Sequence, residues 1–248
     1  MIYHVLAGDS LLQEFQEARI EGETIVCREC LIAGPVDSEM TDGFWTDRGR
    51  FVLAEYGEDE IAYQERVADQ LTRLTEMSAD DEVNLWFEYE LFCSTNLWFC
   101  LSLLKNTGAK LYRVEPITLA EPDRWSGFAN SDAKDLRECF EGRAEISSED
   151  LRLGVALWDA YRTDDRPSLS KLAAAESACF PYLSEVCSAA IDREAKACQI
   201  LSEIRREGAA GFAEIFAEFV KRAGVYGYGD TQVQNFLAQL DSSESSSV

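Results

Sequence analysis

The chain has 248 residues, 46% of them hydrophobic, and a formal net charge of −23. That much apolar content excludes a disordered chain and can bury a core of ordinary size. So large a negative charge excludes nucleic acid and anionic membrane surfaces as expected partners, because both would repel the chain before contact. There is no uncharged apolar run of about eighteen residues, so no transmembrane span is expected.

Eight cysteines raise the question of disulfides. They are scattered through apolar segments of a long chain that opens with no signal-peptide pattern, so reduced thiols and a cytoplasmic location are expected. Cys27 and Cys30 form a C-x-x-C, but the pair follows a strand rather than opening a helix, and zinc would need a second such pair.

In chain order, residues 2–7 read as a strand. Gly8, Asp9 and Ser10 turn it into a helix at 11–18, with Ser10 and Gln13 at capping-box spacing. A second strand follows at 23–27 and ends in Arg28 and Glu29. Ala33-Gly34-Pro35 breaks the chain, and a loop carrying Phe44, Trp45, Arg48 and Arg50 leads into a long helix at about 58–77. Residues 83–87, rich in β-branched and aromatic side chains, suit a strand buried on both faces. Glu88 and Glu90 close it, and a nearly continuous apolar helix runs on to Leu104, with Ser94 and Asn96 as polar exceptions. A fourth strand is expected at 110–114.

The alternation of strands and helices predicts an α/β, Rossmann-like parallel sheet over 1–122. From 123 the strand signal fades, and an all-helical domain is expected over 123–241. Its helices are placed at about 133–140, 148–162, 168–178, 182–206 with a break, 211–223 and 231–240. The last of these could mimic a recognition helix, but it has no Lys or Arg for phosphate contacts. The serine-rich stretch 242–248 reads as a disordered tail.

Gly8-Asp9-Ser10 resembles the start of an esterase motif. The single histidine, His4, lies six residues before Ser10 on an extended strand, about 20 Å away, too far to act as its base. A Ser-His-Asp hydrolase is therefore excluded. The remaining readings are a helix cap or one wall of a ligand pocket. Asp9, Glu29, Glu88 and Glu90 each close a strand and can meet at one sheet edge. Gathered there they could hold Mg²⁺, contact ribose hydroxyls, or be neutralised by Arg28 or Arg48 in a buried salt-bridge network. Spacing does not choose among these, and no residue set is assigned to a metal or cofactor. The tryptophans Trp45, Trp86 and Trp98 read as core or lid aromatics.

These segments together resemble a bacterial family. The run Ile2-x-His4-x-x-x-Gly8-Asp9-Ser10, VCRECLIAGPV at 26–36, the FW-x-x-R of Phe44 to Arg48 and LWFEYELFCSTNL at 85–97 are similar to the domain of unknown function 1835. LWDAYRTDD at 157–165 and Gly229-Asp230 with Phe236 and Leu240 resemble its companion, the domain of unknown function 3658. The resemblance covers nearly the whole chain and implies no particular activity. The family's central motif reads closer to WFEHDLYDQLQL. Glu88 matches it, whereas Tyr89, Glu90, Cys93 and Ser94 stand where His, Asp, Asp and Gln would be.

The expectation is a small polar or nucleotide-like ligand bound at the carboxyl edge of the first sheet. Gly8, Asp9, Ser10, Arg28, Glu29, Trp45, Arg48, Glu88 and Asn96 would line that site. The alternative is an interaction protein whose helical half docks a protein partner and whose α/β half is scaffold.

Overall fold

The computed structural model describes residues 1–38, 42–117 and 123–245. The protein is α/β. Strands β1 (Ile2–Leu6), β2 (Glu23–Val26), β3 (Glu82–Trp86), β4 (Lys110–Val114) and β5 (Ala144–Glu145) form one sheet in the order β2-β1-β3-β4-β5. The first four are parallel and β5 runs antiparallel to β4. In register, Leu6 pairs with Val26 and Trp86, and Trp86 with Val114, so the carboxyl ends of all four parallel strands lie level. The four parallel strands are those expected from sequence. β5 was not foreseen, because two residues carry no alternation that could announce a strand.

The sheet is covered on both faces, which explains why its strands read as unbroken apolar runs. Val5, Ile25, Leu85 and Leu111 enter the larger core, while Leu6, Trp86 and Val114 pack on α1 (Leu12–Ala18) and α6 (Ala133–Glu141) in a smaller one. The larger core is built around α5 (Leu91–Leu104), in which every residue except Phe92 and Ser102 is buried.

The expected loop at 44–50 is instead part of a helix, α2 (Asp42–Tyr56). Phe44, Trp45, Arg48 and Val52 are buried along it, at the spacing of one helical face. The charged Arg48 inside that face interrupts the apolar period and hid the helix. The helix expected at 58–77 is a composite of α3 (Glu60–Tyr63), a π turn (Gln64–Ala68), α4 (Asp69–Thr72) and a 3₁₀ turn (Arg73–Glu76).

The helices α7 (Ser148–Arg162), α8 (Arg166–Leu172), α9 (Leu183–Arg206), α10 (Phe212–Ala223) and α11 (Asp230–Ser245) follow β5. The expected break in α9 falls at Arg193, whose φ is 33°. The helix expected at 168–178 starts earlier and ends at Leu172. The predicted tail is helical as far as Ser245, anchored by an Arg205–Asp241 ion pair at 2.8 Å. Residues 246–248 and the expected domain border at 122 lie outside the described residues. α7 packs directly on α5: Trp158 meets Phe99 with ring centroids 5.0 Å apart, and the Tyr161 hydroxyl donates to the carbonyl of Leu31 at 3.1 Å. One continuous core therefore joins the sheet to the later helices. Among the described residues no helix is long and apolar enough to cross a membrane.

Gly154 is the contact point of α5 and α7. A Cβ there would lie 2.4 Å from Leu101 Cδ1 and 3.3 Å from Phe180 Cζ. Both neighbours are buried. Gly154→Ala is thus expected to lower stability by about 1–3 kcal/mol in urea denaturation, by overpacking. A gain of about 1 kcal/mol, as helix propensity alone would give, would show that the two helices separate freely.

Candidate functional site

From β1 the chain moves outward to β2, then returns to place β3 on the other side of β1. Connections that diverge in this way leave a crevice at the carboxyl ends of the central strands. A cleft of about 520 Å³ lies there. The turn after β1 supplies Ala7, Ser10 and Leu11, and the turn after β3 supplies Glu88, Glu90 and Cys93. The segment before α6 adds Ser126, Phe128 and Ser131, and the connection into α11 adds Gly227, Gly229 and Gln232.

Glu88 and Glu90 form the charged part of this wall. Glu90 caps α5: its Oε1 accepts from the Cys93 backbone N–H at 2.9 Å, a position where the helix dipole favours an anion. The residue is only 5% exposed, and its Oε2 is buried without a hydrogen-bond partner. Glu88 Oε1 accepts from the Phe128 backbone N–H at 2.6 Å, and the Cys93 thiol approaches its Oε2 at 3.8 Å. Burial, then the neighbouring Glu90 carboxylate, push the Glu88 pKa up to about 7. Burial also raises Glu90, and it raises the Cys93 thiol well above its usual range.

Glycines hold both carboxylates in place. A Cβ at Gly127 would lie 2.1 Å from Glu88 Cδ, and one at Gly227 would lie 2.4 Å from Glu90 Cγ. Both residues have positive φ, 56° and 66°, so glycine serves there for conformation and for close approach. One oxygen each of Glu88 and Glu90 and the Cys93 sulfur lie within 4.8 Å of one another. Among the described residues this is the group whose donors could hold a metal ion.

Of the nine residues expected to line the site, Ser10 and Glu88 line the cleft, as does Glu90, which was expected among the strand-closing carboxylates. The others are drawn into separate networks. Asp9 takes a bidentate pair from Arg28 at 2.7 and 2.8 Å, at the surface, and Arg28 also bonds the Arg66 carbonyl in the π turn at 3.2 Å. Glu29 and Arg48 are 1% and 0% exposed and form an ion pair at 2.6 Å. Arg48 further donates to the carbonyls of Ala33 and Cys30 at 2.6 and 3.1 Å, and the Tyr63 hydroxyl donates to Glu29. Asn96 Nδ2 bonds the Glu29 carbonyl at 2.8 Å. Glu29, Arg48 and Asn96 therefore belong to a buried core network, and Trp45 packs on Phe44 and Phe99. Arg28, Glu29, Trp45, Arg48 and Asn96 are not among the residues lining the cleft; α2 carries Arg48 inward to Glu29 instead.

Gly8 is extended (φ 165°), and Asp9–Leu11 form a 3₁₀ turn, so α1 starts at Leu12 and Ser10 makes no cap. His4 is wholly buried. Its Nδ1 accepts from Trp86 Nε1 at 3.1 Å and its Nε2 donates to the Glu21 carbonyl at 3.0 Å. Burial lowers its pKa, which keeps it neutral and structural. Sequence reasoning missed Cys93 as a neighbour of the glutamates, and missed Gly127, Gly227 and Gln232 altogether. The E-x-x-C spacing of an N-cap and its third helical residue could have flagged the cysteine. Nothing local flags the distant glycines. The chain matches no protein-family model and no curated protein.

Two measurements separate the cleft from the core network. Arg48→Met leaves Glu29 buried without its partner and is expected to cost about 3–5 kcal/mol in denaturant unfolding. A loss below about 1 kcal/mol would mean that water reaches Glu29. The second is stability against pH in EDTA. A carboxyl raised from 4.5 to about 7 on folding contributes stability that is full below pH 4.5 and lost as pH rises through 7. Relative to wild type, Glu88→Gln should therefore gain about 2 kcal/mol between pH 4.5 and 7.5, the full linkage reduced for partial exposure. His4 titrates with the opposite sign but in both proteins, so it cancels. A difference flat with pH would place Glu88 in water.

Proposed function

We propose that the protein binds a small polar molecule in the cleft at the carboxyl edge of β1 and β3. The observation that carries this reading is Glu90 Oε2, a carboxylate oxygen buried in the cleft wall with no partner. An unsatisfied buried acceptor costs a few kcal/mol, and a ligand hydroxyl or amine would recover that loss. Ser10, Ser126, Ser131 and Gln232 add further hydrogen-bonding groups around it.

Charge narrows the ligand class. The described lining includes Glu14, Glu88 and Glu90 and no Lys or Arg. These carboxylates repel a free phosphate, so the ligand is neutral or cationic: a nucleoside, a sugar or an amine rather than a nucleotide phosphate.

The finer reading of the fold belongs to this proposal. The order β2-β1-β3-β4 with helices on both faces supports a Rossmann-like unit, and the run of helices after β5 supports a second, helical unit. Eight free thiols support a reducing, cytoplasmic setting. The resemblance to domain of unknown function 1835 supports Glu88 as a residue of the cleft. The interaction-protein alternative has less support, since it calls for exposed apolar surface on the later helices, where Val220 on α10 is the one exposed large hydrophobic among the described residues.

The test is a thermal-shift screen with nucleosides, sugars and amines, with sugar phosphates as the contrast. A ligand at a hundred times its dissociation constant adds about 2.7 kcal/mol, a rise of a few degrees. The rise should disappear in Glu90→Gln. A preference for phosphates, or a shift that survives Glu90→Gln, would overturn the proposal.

A further inference from the structure

Glu88, Glu90 and Cys93 bring two hard oxygen donors and one soft sulfur donor to a single buried corner, with the three ligand atoms within 4.8 Å of one another. Around a tetrahedral zinc-class ion, ligand atoms stand roughly 3.5 Å apart, and Cys93 Sγ already lies 3.8 Å from Glu88 Oε2. Small side-chain rotations would close the set. Gly127 and Gly227 sit against the two carboxylates and limit how far they can swing away.

Charge and unsatisfied bonding point the same way. Glu90 Oε2 is buried and has no partner. Arg113 is a nearby buried cation whose charge lowers the pKa of both carboxyls, but its Nη2 bonds the Glu88 backbone carbonyl at 3.1 Å rather than either carboxylate. Among the described residues lining the cleft, no cation faces the pair.

We propose that Glu88, Glu90 and Cys93 bind one divalent ion of the zinc class at the floor of the cleft. The donor set selects the metal: a thiolate disfavours Mg²⁺ and Ca²⁺, and two carboxylates disfavour Cu⁺, which leaves a borderline ion such as Zn²⁺ or Co²⁺. Three protein ligands leave a fourth coordination position, as in zinc sites that take a water or a substrate group. A hydroxyl or amine of the cleft ligand fits that position. This inference rests on the cleft being a binding site and names what would hold the ligand there.

Cobalt provides the test. The full chain, stripped with EDTA and kept reduced, is titrated with Co²⁺ and then with competing Zn²⁺. One equivalent of Co²⁺ should produce a near-ultraviolet thiolate-to-cobalt band that Zn²⁺ removes. Cys93→Ser should abolish the band and weaken Zn²⁺ binding by more than the ten- to hundredfold that outer-shell partners contribute. Cys198→Ser, a change at a half-buried thiol on α9, should keep both. If circular dichroism shows Cys93→Ser unfolded, Glu90→Gln replaces it, with weaker binding expected. No band in the folded, reduced wild-type protein, or a band that survives Cys93→Ser, would overturn the metal site. An organic ligand that stabilises the metal-free protein through Glu90 would then leave the cleft reading standing. Absence of both effects would overturn the two together.

Discussion

Helix α5 has no face that belongs in water, and the rest of the fold follows from that constraint. Its leucines, Trp98 and Phe99 point in all directions, so the sheet can cover only one side of it. Phe44 and Trp45 of α2 cover a second side, and α7 covers a third, with Phe99 held between Phe44 and Trp158. A helix that is apolar all round is stable only when it is enclosed. The helices after β5 provide that enclosure, and this is the reason they share the core of the sheet.

Enclosure brings polar groups inside that must be satisfied there. Arg48 faces inward from α2, and it is tolerable because Glu29, at the end of β2, meets it with matching geometry while the carbonyls of Ala33 and Cys30 take its remaining donors. Tyr63 and Asn96 complete the network from α3 and α5. Such a network ties β2, α2, α3 and α5 to a single arrangement, since any shift would leave a charge buried and alone. On the far side of the sheet, His4 does the same in neutral form, joining Trp86 to the backbone before β2.

The carboxylates of the cleft wall have no such partner: among the described residues lining it there is no arginine or lysine. The N-terminus of α5 must be capped, and Glu90 caps it with one oxygen while the other stays unpartnered. Glu88, two residues earlier, ends in the same corner because the chain must turn sharply from strand to helix. Lost hydration makes both carboxyls hold their protons more tightly, and the charge of Glu90 adds to this at Glu88. The corner is therefore poised to exchange protons for whatever positive or hydrogen-donating group enters it.

How much of this was legible in the sequence depends on distance along the chain. The strands at 2–6, 23–26 and 110–114, the buried turn around Glu88 and the helix behind it were written in short-range patterns of apolar and β-branched residues. So were the acidic charge and the exclusion of a His4–Ser10 pair. Helix α2 was not, because its buried Arg48 makes sense only once Glu29 stands opposite. The sequence could bring the strand-ending carboxylates to one edge, but it could not say which would be neutralised. Tertiary structure decided that Asp9 and Glu29 find arginines, while Glu88 and Glu90 meet Cys93 and two glycines from positions 127 and 227. Local propensity acts over a few residues, whereas which charge meets which partner is set by packing between elements far apart in the chain.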